Sequence, residues 1–364
     1  QIARAVEFEV YVPTIGEASC MWCFAGETEY LTREGYRSFA DTCDTEQTVM
    51  TVNGKWTPAI IRNYGKQPLF KLNLKRGGKA HKAIYTTEGH LWPTVFSNGA
   101  NAGIKKTVEL KEGDKLRPTF GQGIAQINPS LTGIQAGLIY GDGNKVRDGS
   151  NGSSITLYGD KNIQLLKYFP GLSYKNYNYK SLYETLETVV VSGMPAYFKE
   201  DPPILDSRAY LLGWLMGYFA ADGNITKQGQ SSISSARKEC LLKVRDVCGI
   251  LGIQTSEITE RNRLGIRGSY SILYNIGIRS SMLNENFFLI EAHKEKFNQQ
   301  NFNDKLAKFW TVSSVEETKR YEDVYCAEVP EYGQFVLEGN ILTNNCPYTD
   351  ICPVFFEKDD SGEH

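Results

Sequence analysis

The sequence predicts a mainly-β domain that is split by an α+β insertion, and three observations support this fold class. Short alternating segments such as residues 70–74 and 83–87 are typical of strands. After about residue 128 the hydrophobic period changes to that of helices. Strand-like patterning then returns at residues 310–315 and 324–329. We therefore expect one β domain built from both ends of the chain.

Length and composition indicate an ordinary globular protein of more than one domain. The 364 residues are 41% hydrophobic and 23% charged, with a formal net charge of -2, which excludes disordered and fibrous classes. The longest apolar run, residues 209–221, is shorter than the roughly 18 residues of a membrane span and is followed by Asp222. No secretory leader follows Gln1. We expect a fragment of a longer cytoplasmic protein, monomeric and without a membrane partner.

Two segments of the insertion repeat one another, and each carries a stripe of small residues. Residues 136–144 match residues 216–224. Small residues recur at every fourth position in both copies, at Gly133, Gly137 and Gly141 and at Gly213, Gly217 and Ala221. Glycine costs a helix roughly 1 kcal/mol per position relative to alanine. Such a stripe therefore indicates that two helices approach each other closely.

Parallel packing of these helices would place Asp142 and Asp222 side by side at the helix ends. The helix dipole disfavours negative charge at a C-terminus, and a bound cation relieves the conflict. Mg²⁺ takes carboxylate oxygens and retains water, which suits the activation of water and the binding of a phosphate during hydrolysis. The alternative is a pair of core helices that each end on an aspartate.

Residues 136–143 and 215–223 resemble the name-giving motif of the LAGLIDADG homing endonucleases. Over residues 128–304 the resemblance implies a pseudo-twofold αββαββα monomer. Its sheets would form a saddle on double-stranded DNA, with Asp142 and Asp222 holding Mg²⁺ at the cleavage site. The alternative is a module of this family that binds DNA without cutting it.

Charge by itself does not identify a nucleic-acid partner. Residues 126–304 contain 19 Lys and Arg against 17 Asp and Glu, which is not the basic footprint that DNA binding usually leaves. Residues 227–267 are richer, with 8 basic against 4 acidic side chains, and residues 174–180 interleave aromatic and basic side chains. Either segment could lie on a phosphate backbone or form a solvated face.

The two flanking β segments resemble the ends of the Hint splicing domain of inteins, which has a mainly-β horseshoe fold. Residues 23–30 resemble its N-terminal block, residues 87–90 its T-x-x-H block, and residues 324–329 and 335–346 its C-terminal blocks. The resemblance divides the chain into five segments. They are an N-extein fragment (residues 1–22), an N-terminal Hint part (23–127), the endonuclease (128–304), a C-terminal Hint part (305–345) and a C-extein fragment (346–364).

The resemblance also assigns splicing roles to residues at both ends. Cys23 attacks the preceding carbonyl and exchanges the amide for a thioester. His90 protonates the departing amine, and Thr87 with nearby backbone N–H groups holds the oxyanion. Cys346 then accepts the acyl group, and Asn345 closes its side-chain amide on its own carbonyl to release the intein. Splicing of this kind needs no cofactor.

Three positions depart from the pattern of the family. Asn344 stands where a histidine usually precedes the terminal asparagine, and Gly333 stands where another histidine is frequent. Cys326 occupies a position that is often aspartate, where it either tunes thiol and proton chemistry or packs on the sheet. These departures bear on the cyclisation of Asn345. A Hint autoprocessing domain that cleaves without ligation is the alternative, and Cys346 argues against it.

The flanking pieces carry clustered cysteines. Joining residue 22 to residue 346 brings Cys20, Cys346 and Cys352 into one short segment, which resembles the C-terminal iron–sulfur segment of RecB-type exonucleases. Three such thiolates suit a 4Fe–4S cluster with one further cysteine. The alternatives are a zinc site and a group of reduced cysteines that binds no metal. The expected DNA partner is the inteinless allele of this host gene, in a bacterial or phage-encoded context.

Overall fold

The computed structural model describes residues 22–77, 80–146, 151–159, 164–180, 185–264, 270–299 and 307–345. The part before the insertion forms strands, in chain order β1 Phe24–Ala25, β2 Glu29–Thr32, β3 Gly35–Ser38, β4 Glu46–Met50, β5 Trp56–Arg76, β6 Ala80–Thr86, β7 Leu91–Val95, β8 Asn101–Lys106 and β9 Lys115–Leu116. In β5 the second half buries every other side chain, including Leu72 and Leu74. This alternation lets one face of a strand pack on a core.

The insertion contains the helices and two further groups of strands. In chain order these are α1 Leu131–Asp142, β10 Gly143–Lys145, β11 Gly152–Tyr158, β12 Tyr174–Lys180, β13 Thr185–Pro195, α2 Arg208–Asp222, β14 Gly223–Ile225, β15 Ser231–Ser235, α3 Lys238–Leu251, β16 Thr259–Leu264, β17 Tyr270–Ile278 and α4 Glu291–Asn298. The Ser130 side chain accepts from the Gly133 amide at the start of α1, and Ser207 does the same for Tyr210 in α2. Both helices thus begin at a hydroxyl cap.

The strands that follow the insertion complete the large sheet. They are β18 Thr311–Glu328, β19 Gln334–Leu337 and β20 Ile341–Asn344. The strand order is β20-β19-β2-β4-β5-β6-β1-β18-β9-β7-β8, with β3 paired to β2, and β18 also pairs antiparallel with β5. Strands from both ends of the chain therefore interleave in one sheet. We call residues 22–125 and 307–345 the β unit, and residues 126–299 the inserted unit.

The inserted unit contains two small sheets with the same strand order. One is β10-β11-β13-β12 and the other is β14-β15-β17-β16. Gly143 pairs with Ile155 in the first sheet, and Gly223 pairs with Ile233 in the second. The repeat in the sequence is therefore a repeat in strand order and register.

The two units have separate main cores. In the inserted unit, α2 is buried along most of its length, with Leu211 and Leu215 fully inaccessible. In the β unit, Phe24, Tyr30 and Phe335 lie in a second cluster close to the two predicted junctions. Among the described residues, the structure contains no helix with both the length and the apolar character that a membrane crossing requires.

Candidate functional site

The predicted N-terminal junction lies inside the β unit. Cys23 is fully buried and leads into β1, where Phe24 pairs with Thr86 on one side and with Tyr325 on the other. The Cys23 carbonyl accepts hydrogen bonds from the Thr86 hydroxyl at 2.9 Å and from the Thr87 amide at 3.0 Å. The backbone at this cysteine is therefore held by two neighbouring strands.

Thr87 contacts the backbone on both sides of Cys23, and its predicted oxyanion role stays a prediction. The Cys23 amide N–H donates to the Thr87 hydroxyl oxygen, and the two atoms are 3.0 Å apart. The hydroxyl and the amide of Thr87 both donate to the Cys23 carbonyl, at 3.4 and 3.0 Å. The predicted oxyanion would form one residue earlier, on the carbonyl of Trp22. In this conformation Thr87 therefore orients the leaving nitrogen.

His90 is buried next to the junction among aromatic rings. Its ring centroid is 4.2 Å from that of Phe24 and 4.8 Å from that of Trp92. Desolvation lowers the pKa of His90 to about 3, and the neighbouring backbone of Trp22 opposes this shift. The imidazole is therefore neutral at neutral pH, with one ring nitrogen protonated and the other able to accept.

One nitrogen of His90 contacts the far end of the chain. Nε2 lies 2.5 Å from the hydroxyl oxygen of Thr343, and both side chains are fully buried. Nδ1 has no hydrogen-bond partner among the described residues, and it is the nitrogen left to face the Trp22 backbone. Thr343 lies within the C-terminal block of residues 335–346, but the resemblance assigned it no role. Its position two residues before Asn345 was the available signal.

Asn345 lies at the predicted C-terminal junction, where backbone groups hold it. Its amide N–H donates to the Gly333 carbonyl at 2.9 Å. In the side-chain orientation that satisfies both ends of the amide, Nδ2 also donates to the Gly333 carbonyl at 2.9 Å, and Oδ1 accepts from the Val329 amide at 3.1 Å. The loop between β18 and β19 therefore fixes the side chain that is predicted to cyclise.

The two positions that lack the expected histidines also lie here. Gly333 has a φ of 60°, and a β-carbon on it would lie 3.4 Å from the side-chain amide group of Asn345. Asn344 accepts a hydrogen bond from the Gln334 side chain at 2.8 Å. A backbone carbonyl and an amide thus stand where imidazoles were expected. The Gly333 carbonyl orients Asn345, and neither group can supply a proton near neutral pH.

Cys326 lies on β18, where it is fully buried. Since Phe24 pairs with Tyr325 in an antiparallel register, one further step along the strands sets Cys326 opposite Cys23. Its Sγ is 3.6 Å from the Ala327 carbonyl oxygen. Both cysteines are thiols in the structure. The fold thus brings a second thiol next to the predicted nucleophile.

In the inserted unit, α1 and α2 run parallel in backbone contact. A β-carbon on Gly137 would lie 2.0 Å from the Trp214 carbonyl oxygen, and one on Gly217 would lie 2.2 Å from the Ile134 carbonyl oxygen. Any side chain at these positions would push the helices apart. The close approach predicted from the glycine spacing is therefore present.

Asp142 and Asp222 end this helix pair at the same side, and both are exposed. Oδ2 of Asp222 lies 3.4 Å from the β-carbon position of Gly141, the residue before Asp142. Two carboxylates therefore lie where both helix dipoles are negative. This is the arrangement that the repeated motif predicted.

Lys199 is a basic group that sequence analysis did not identify. Its Nζ donates to the last carbonyls of α1 at 3.2, 2.7 and 2.9 Å, which are those of Ile139, Tyr140 and Gly141. Burial lowers the pKa of Lys199, and the carboxylates of Asp222 and Asp142 oppose this shift. The ammonium group thus offsets the negative end of α1 close to both aspartates. A lysine between the repeats belongs to no motif, so only the fold reveals it.

The aspartate pair is a partial ligand set for a metal. Within the ranges that the structure describes, no group of three or more His, Cys, Asp or Glu side chains could hold a metal ion. Mg²⁺ is usually bound by one or two protein carboxylates and completed by water and substrate phosphates. Asp142 and Asp222 fit a site of that kind and do not fit a closed structural site.

The polar face of the second small sheet borders a cleft of about 1020 Å³. Ser232 and Ser234 point to this face, whereas Ile233 between them is buried in the core. Arg261 and Asn275 of the neighbouring strands also line the cleft. From the β unit, Arg76, Gly77, Ala80 and His81 line the same cleft. The sheet thus presents hydrogen-bonding and basic groups on the side away from the helices.

Some predicted residues lie outside the described part of the chain. They are the cluster cysteines Cys20, Cys346 and Cys352, of which Cys346 is also the predicted second nucleophile.

The basic and aromatic segment at residues 174–180 forms β12, which pairs with β13.

Comparison with known families identifies one domain. Residues 209–289 match the model of the LAGLIDADG-like domain. This match confirms the family predicted from the second motif, whereas the first copy of the motif lies before the matched span. The chain thus contains a LAGLIDADG-like domain that includes α2 and the second small sheet.

Among curated proteins, the chain is similar to the large subunit of ribonucleoside-diphosphate reductase from Invertebrate iridescent virus 6. The two are 27% identical over an alignment of 354 residues, which covers 89% of this chain and 36% of that protein. The chain thus spans just over a third of the length of this relative. The comparisons give no support to the predicted RecB-type flank or to its iron–sulfur cluster.

Two groups of solved structures are similar to this chain. I-DmoI in complex with DNA and Mn is 19% identical with a TM-score of 0.27, and the match covers 41% of this chain and 90% of that one. The Ssp DnaB mini-intein variant M86 is 9% identical with a TM-score of 0.30, and the match covers 89% of this chain and 92% of that one.

Proposed function

We propose that the chain excises residues 23–345 and joins the segments on either side. The observation that carries this proposal is the hydrogen bond between His90 and Thr343. It links the residue next to Cys23 to the strand that leads to Asn345. Residues at opposite ends of the sequence thus meet in a buried space, which is what an intramolecular transfer between two junctions requires.

The first step is an acyl shift at Cys23. Its thiol attacks the Trp22 carbonyl, a carbon–sulfur bond forms, and the carbon–nitrogen bond to Cys23 breaks. The thiol proton moves by way of the neutral His90 ring to the departing nitrogen. Thr87, which accepts from this nitrogen at 3.0 Å, keeps the amide in position. The burial of the site supports the step, since no bulk water competes for the thioester.

The later steps move the acyl group and release the excised part. The thiol of Cys346 displaces that of Cys23 from the thioester, and the regenerated Cys23 thiol takes the proton. Nδ2 of Asn345 then attacks its own carbonyl carbon, which frees the amine of Cys346. That amine attacks the adjacent thioester and forms the new peptide bond. The hydrogen bonds of Asn345 to the loop at residues 329–333 support its orientation for this ring closure.

Mass spectrometry of the expressed chain tests this proposal. Under reducing conditions we expect an excised species of 323 residues, residues 23–345, and a ligated species of 41 residues, residues 1–22 joined to 346–364. Cys23→Ala should leave the chain intact. Cys43→Ala, which changes a partly exposed cysteine away from both junctions, should splice like the original. Intact chain in all three samples would refute splicing, and cleavage without the ligated species would favour autoprocessing.

We also infer that the inserted unit cleaves double-stranded DNA. The exposed carboxylates of Asp142 and Asp222 at one end of the helix pair, with Lys199 beside them, support this second function. Hydrolysis joins the oxygen of a water molecule to phosphorus and breaks a phosphorus–oxygen bond of the backbone. A bound Mg²⁺ would activate the water and offset charge on the phosphate. The polar faces of the small sheets provide the surface for the duplex.

Cleavage of a duplex that carries the uninterrupted host sequence tests this second function. Asp142→Asn with Asp222→Asn should abolish cleavage and retain DNA binding. Asp206→Asn is the matched control, because Asp206 is exposed just before α2. If the double variant cleaves the duplex at the same rate as the original chain, neither aspartate takes part in the reaction. Binding without cleavage by the original chain would favour the non-cutting module.

The host gene supplies the sequence of that duplex. Similarity to one part of a much longer reductase subunit is what an element inserted in a host protein would produce. A ribonucleotide reductase gene is therefore the first target to test, ahead of an exonuclease gene.

A further inference from the structure

Helix α3 belongs to the inserted unit, yet one of its faces is packed against the β unit. Gly249 of α3 lies against Leu31 and Tyr36, and a β-carbon on it would lie 3.1 Å from an atom of each. Leu31 and Tyr36 form a small separate core with Met50, Val336 and Leu342. Two of these, Val336 and Leu342, lie on β19 and β20, the strands next to the predicted C-terminal junction.

Two charged residues of α3, Arg245 and Asp246, stabilise this contact. Arg245 makes a two-pronged ion pair with Glu29 on β2, with nitrogen–oxygen distances of 2.7 and 3.1 Å. Its guanidinium also lies 4.7 Å from the centre of the Tyr36 ring. A bidentate pair of this kind fixes the relative orientation of both side chains as well as their distance.

Asp246 is bound more deeply in the β unit. It is 5% exposed, and its Oδ1 accepts from the Tyr36 amide at 3.2 Å. Gly35 has a φ of 99°, and a β-carbon on it would lie 2.8 Å from the Asp246 carboxyl carbon. At its first position, β3 therefore has the one residue type that leaves room for this carboxylate. The start of β3 is shaped to receive α3.

The contact continues to the junction through hydrogen-bonded strands. Tyr30 of β2 pairs with Leu337 of β19, and the Glu338 amide donates to the Glu29 carbonyl at 2.9 Å. β19 pairs with β20 along its whole length, and the last pair in the direction of the junction is Gln334 with Asn344. A displacement of β2 is therefore passed to the strand that carries Thr343.

We propose that α3 of the inserted unit is a positioning element for splicing, in which Arg245 and Asp246 hold β2 and β3 and thereby the β19–β20 hairpin. The inference rests on the splicing function proposed above. Removal of the inserted unit would expose Leu31 and Tyr36 and leave Glu29 without its partner. The insertion is then a part of the splicing machinery of this chain as well as a second enzyme within it.

The test compares splicing of the full chain with that of single variants. Arg245→Ala should slow ligation roughly tenfold, the effect of losing one well-formed charged contact, with accumulation of the branched intermediate because Asn345 is misplaced. Glu239→Ala, on an exposed position of the same helix, should splice at the original rate. The charge exchange Glu29→Arg with Arg245→Glu should recover part of the loss, which a general loss of folding would not allow.

A second measurement does not depend on splicing. In the Cys23→Ala background, hydrogen exchange at the Asn345 amide, which is bonded to the Gly333 carbonyl, should accelerate in Arg245→Ala and not in Glu239→Ala. Unchanged ligation and unchanged exchange in Arg245→Ala would overturn the inference. An original chain that never splices would instead overturn the proposed function, and the exchange rates would still decide whether α3 positions the hairpin.

Discussion

At the scale of single residues, the predicted N-terminal junction depends on polar groups that are removed from water. Cys23, Thr86, His90 and Thr343 each have at most a trace of exposed surface. Buried polar groups are costly unless they are hydrogen-bonded, and the three hydroxyl or imidazole groups here bond to each other or to the Cys23 backbone. The same contacts that stabilise the core therefore orient the reacting atoms.

We predict that His90 makes the protein less stable as the pH falls. The pKa of His90 is lowered to about 3 in the folded chain by desolvation, whereas an unfolded chain protonates histidine near pH 6.5. Between these values the unfolded state binds the extra proton, so the free energy of unfolding declines as the pH falls, by at most about 1.4 kcal/mol per pH unit. Above pH 6.5 the group contributes no slope.

Urea unfolding of the Cys23→Ala chain at pH 7 and pH 5 measures this effect. His90→Gln should reduce the difference between the two pH values. His81→Gln, which changes an exposed histidine, should leave the difference as it was. Equal pH dependence in all three chains would show that His90 is not buried as a neutral ring.

We predict that Thr343→Val slows the first step of splicing. The substitution keeps the shape of the side chain but leaves Nε2 of the buried His90 unpaired, which costs about 1 to 3 kcal/mol. If that cost falls on the transition state, the acyl shift slows by roughly tenfold to a hundredfold. The rate of thiol-induced cleavage at Cys23 reports the step. Thr343→Ser retains the hydroxyl and should remain close to the original rate.

At the scale of secondary-structure elements, the α1–α2 pair unites the two repeats. The backbones touch along the glycine stripe, so the relative position of the helices is set by atoms that cannot adjust. That contact brings Asp142 and Asp222 close together, and Lys199 donates three hydrogen bonds to carbonyls at the end of α1. The carboxylate pair is thus positioned by the packing of the helix turns that precede it.

We predict that Gly137→Ala destabilises the inserted unit by about 3 kcal/mol or more, the effect expected of overpacking against backbone. The added β-carbon would lie 2.0 Å from the Trp214 carbonyl oxygen, so the helices must separate. Urea unfolding followed by tryptophan fluorescence measures the loss. Thr132→Ala adds a helix-favouring residue at an exposed position of the same helix and should be neutral or slightly stabilising. A stable Gly137→Ala protein would show that the helices are not in backbone contact.

At the scale of the whole molecule, two sites lie in units with separate main cores that share a polar interface. The predicted junction site is buried and contains thiol, amide and imidazole groups, whereas the carboxylate pair is exposed. The two sites therefore have different requirements for solvent and for metal. The contact of α3 with β2 and β3 connects the inserted unit to the β unit, and it includes no residue of either site.

We predict that removal of divalent ions separates the two activities. EDTA should stop DNA cleavage, because the aspartate pair needs a cation to bind a phosphate, and added Mg²⁺ should restore it. Splicing should proceed at the same rate with and without EDTA, since no step at Cys23 or Asn345 uses a metal. Mass spectrometry and an electrophoretic cleavage assay on one sample measure both. A matching loss of both activities would contradict two independent sites.

Features that depend on local chemistry and on residue spacing could be predicted from the amino-acid sequence. Glycine at every fourth residue predicted the helix contact, because only glycine permits it. The second copy of the motif predicted the domain that the family match bears out. The return of strand-like patterning after residue 310 predicted strands on both sides of the insertion, because period two is a property of neighbouring residues.

Contacts between groups that are distant in the chain could not be predicted from the sequence and are seen in the folded protein. Thr343 on His90, Lys199 on Gly141 and Arg245 on Glu29 are contacts over 253, 58 and 216 positions of the chain, and the motifs predicted none of them. Thr87 was assigned to the oxyanion by resemblance, and the structure adds that its hydroxyl accepts from the Cys23 amide. Pairings of this kind depend on how strands align and helices pack, and that alignment is a property of the folded chain as a whole.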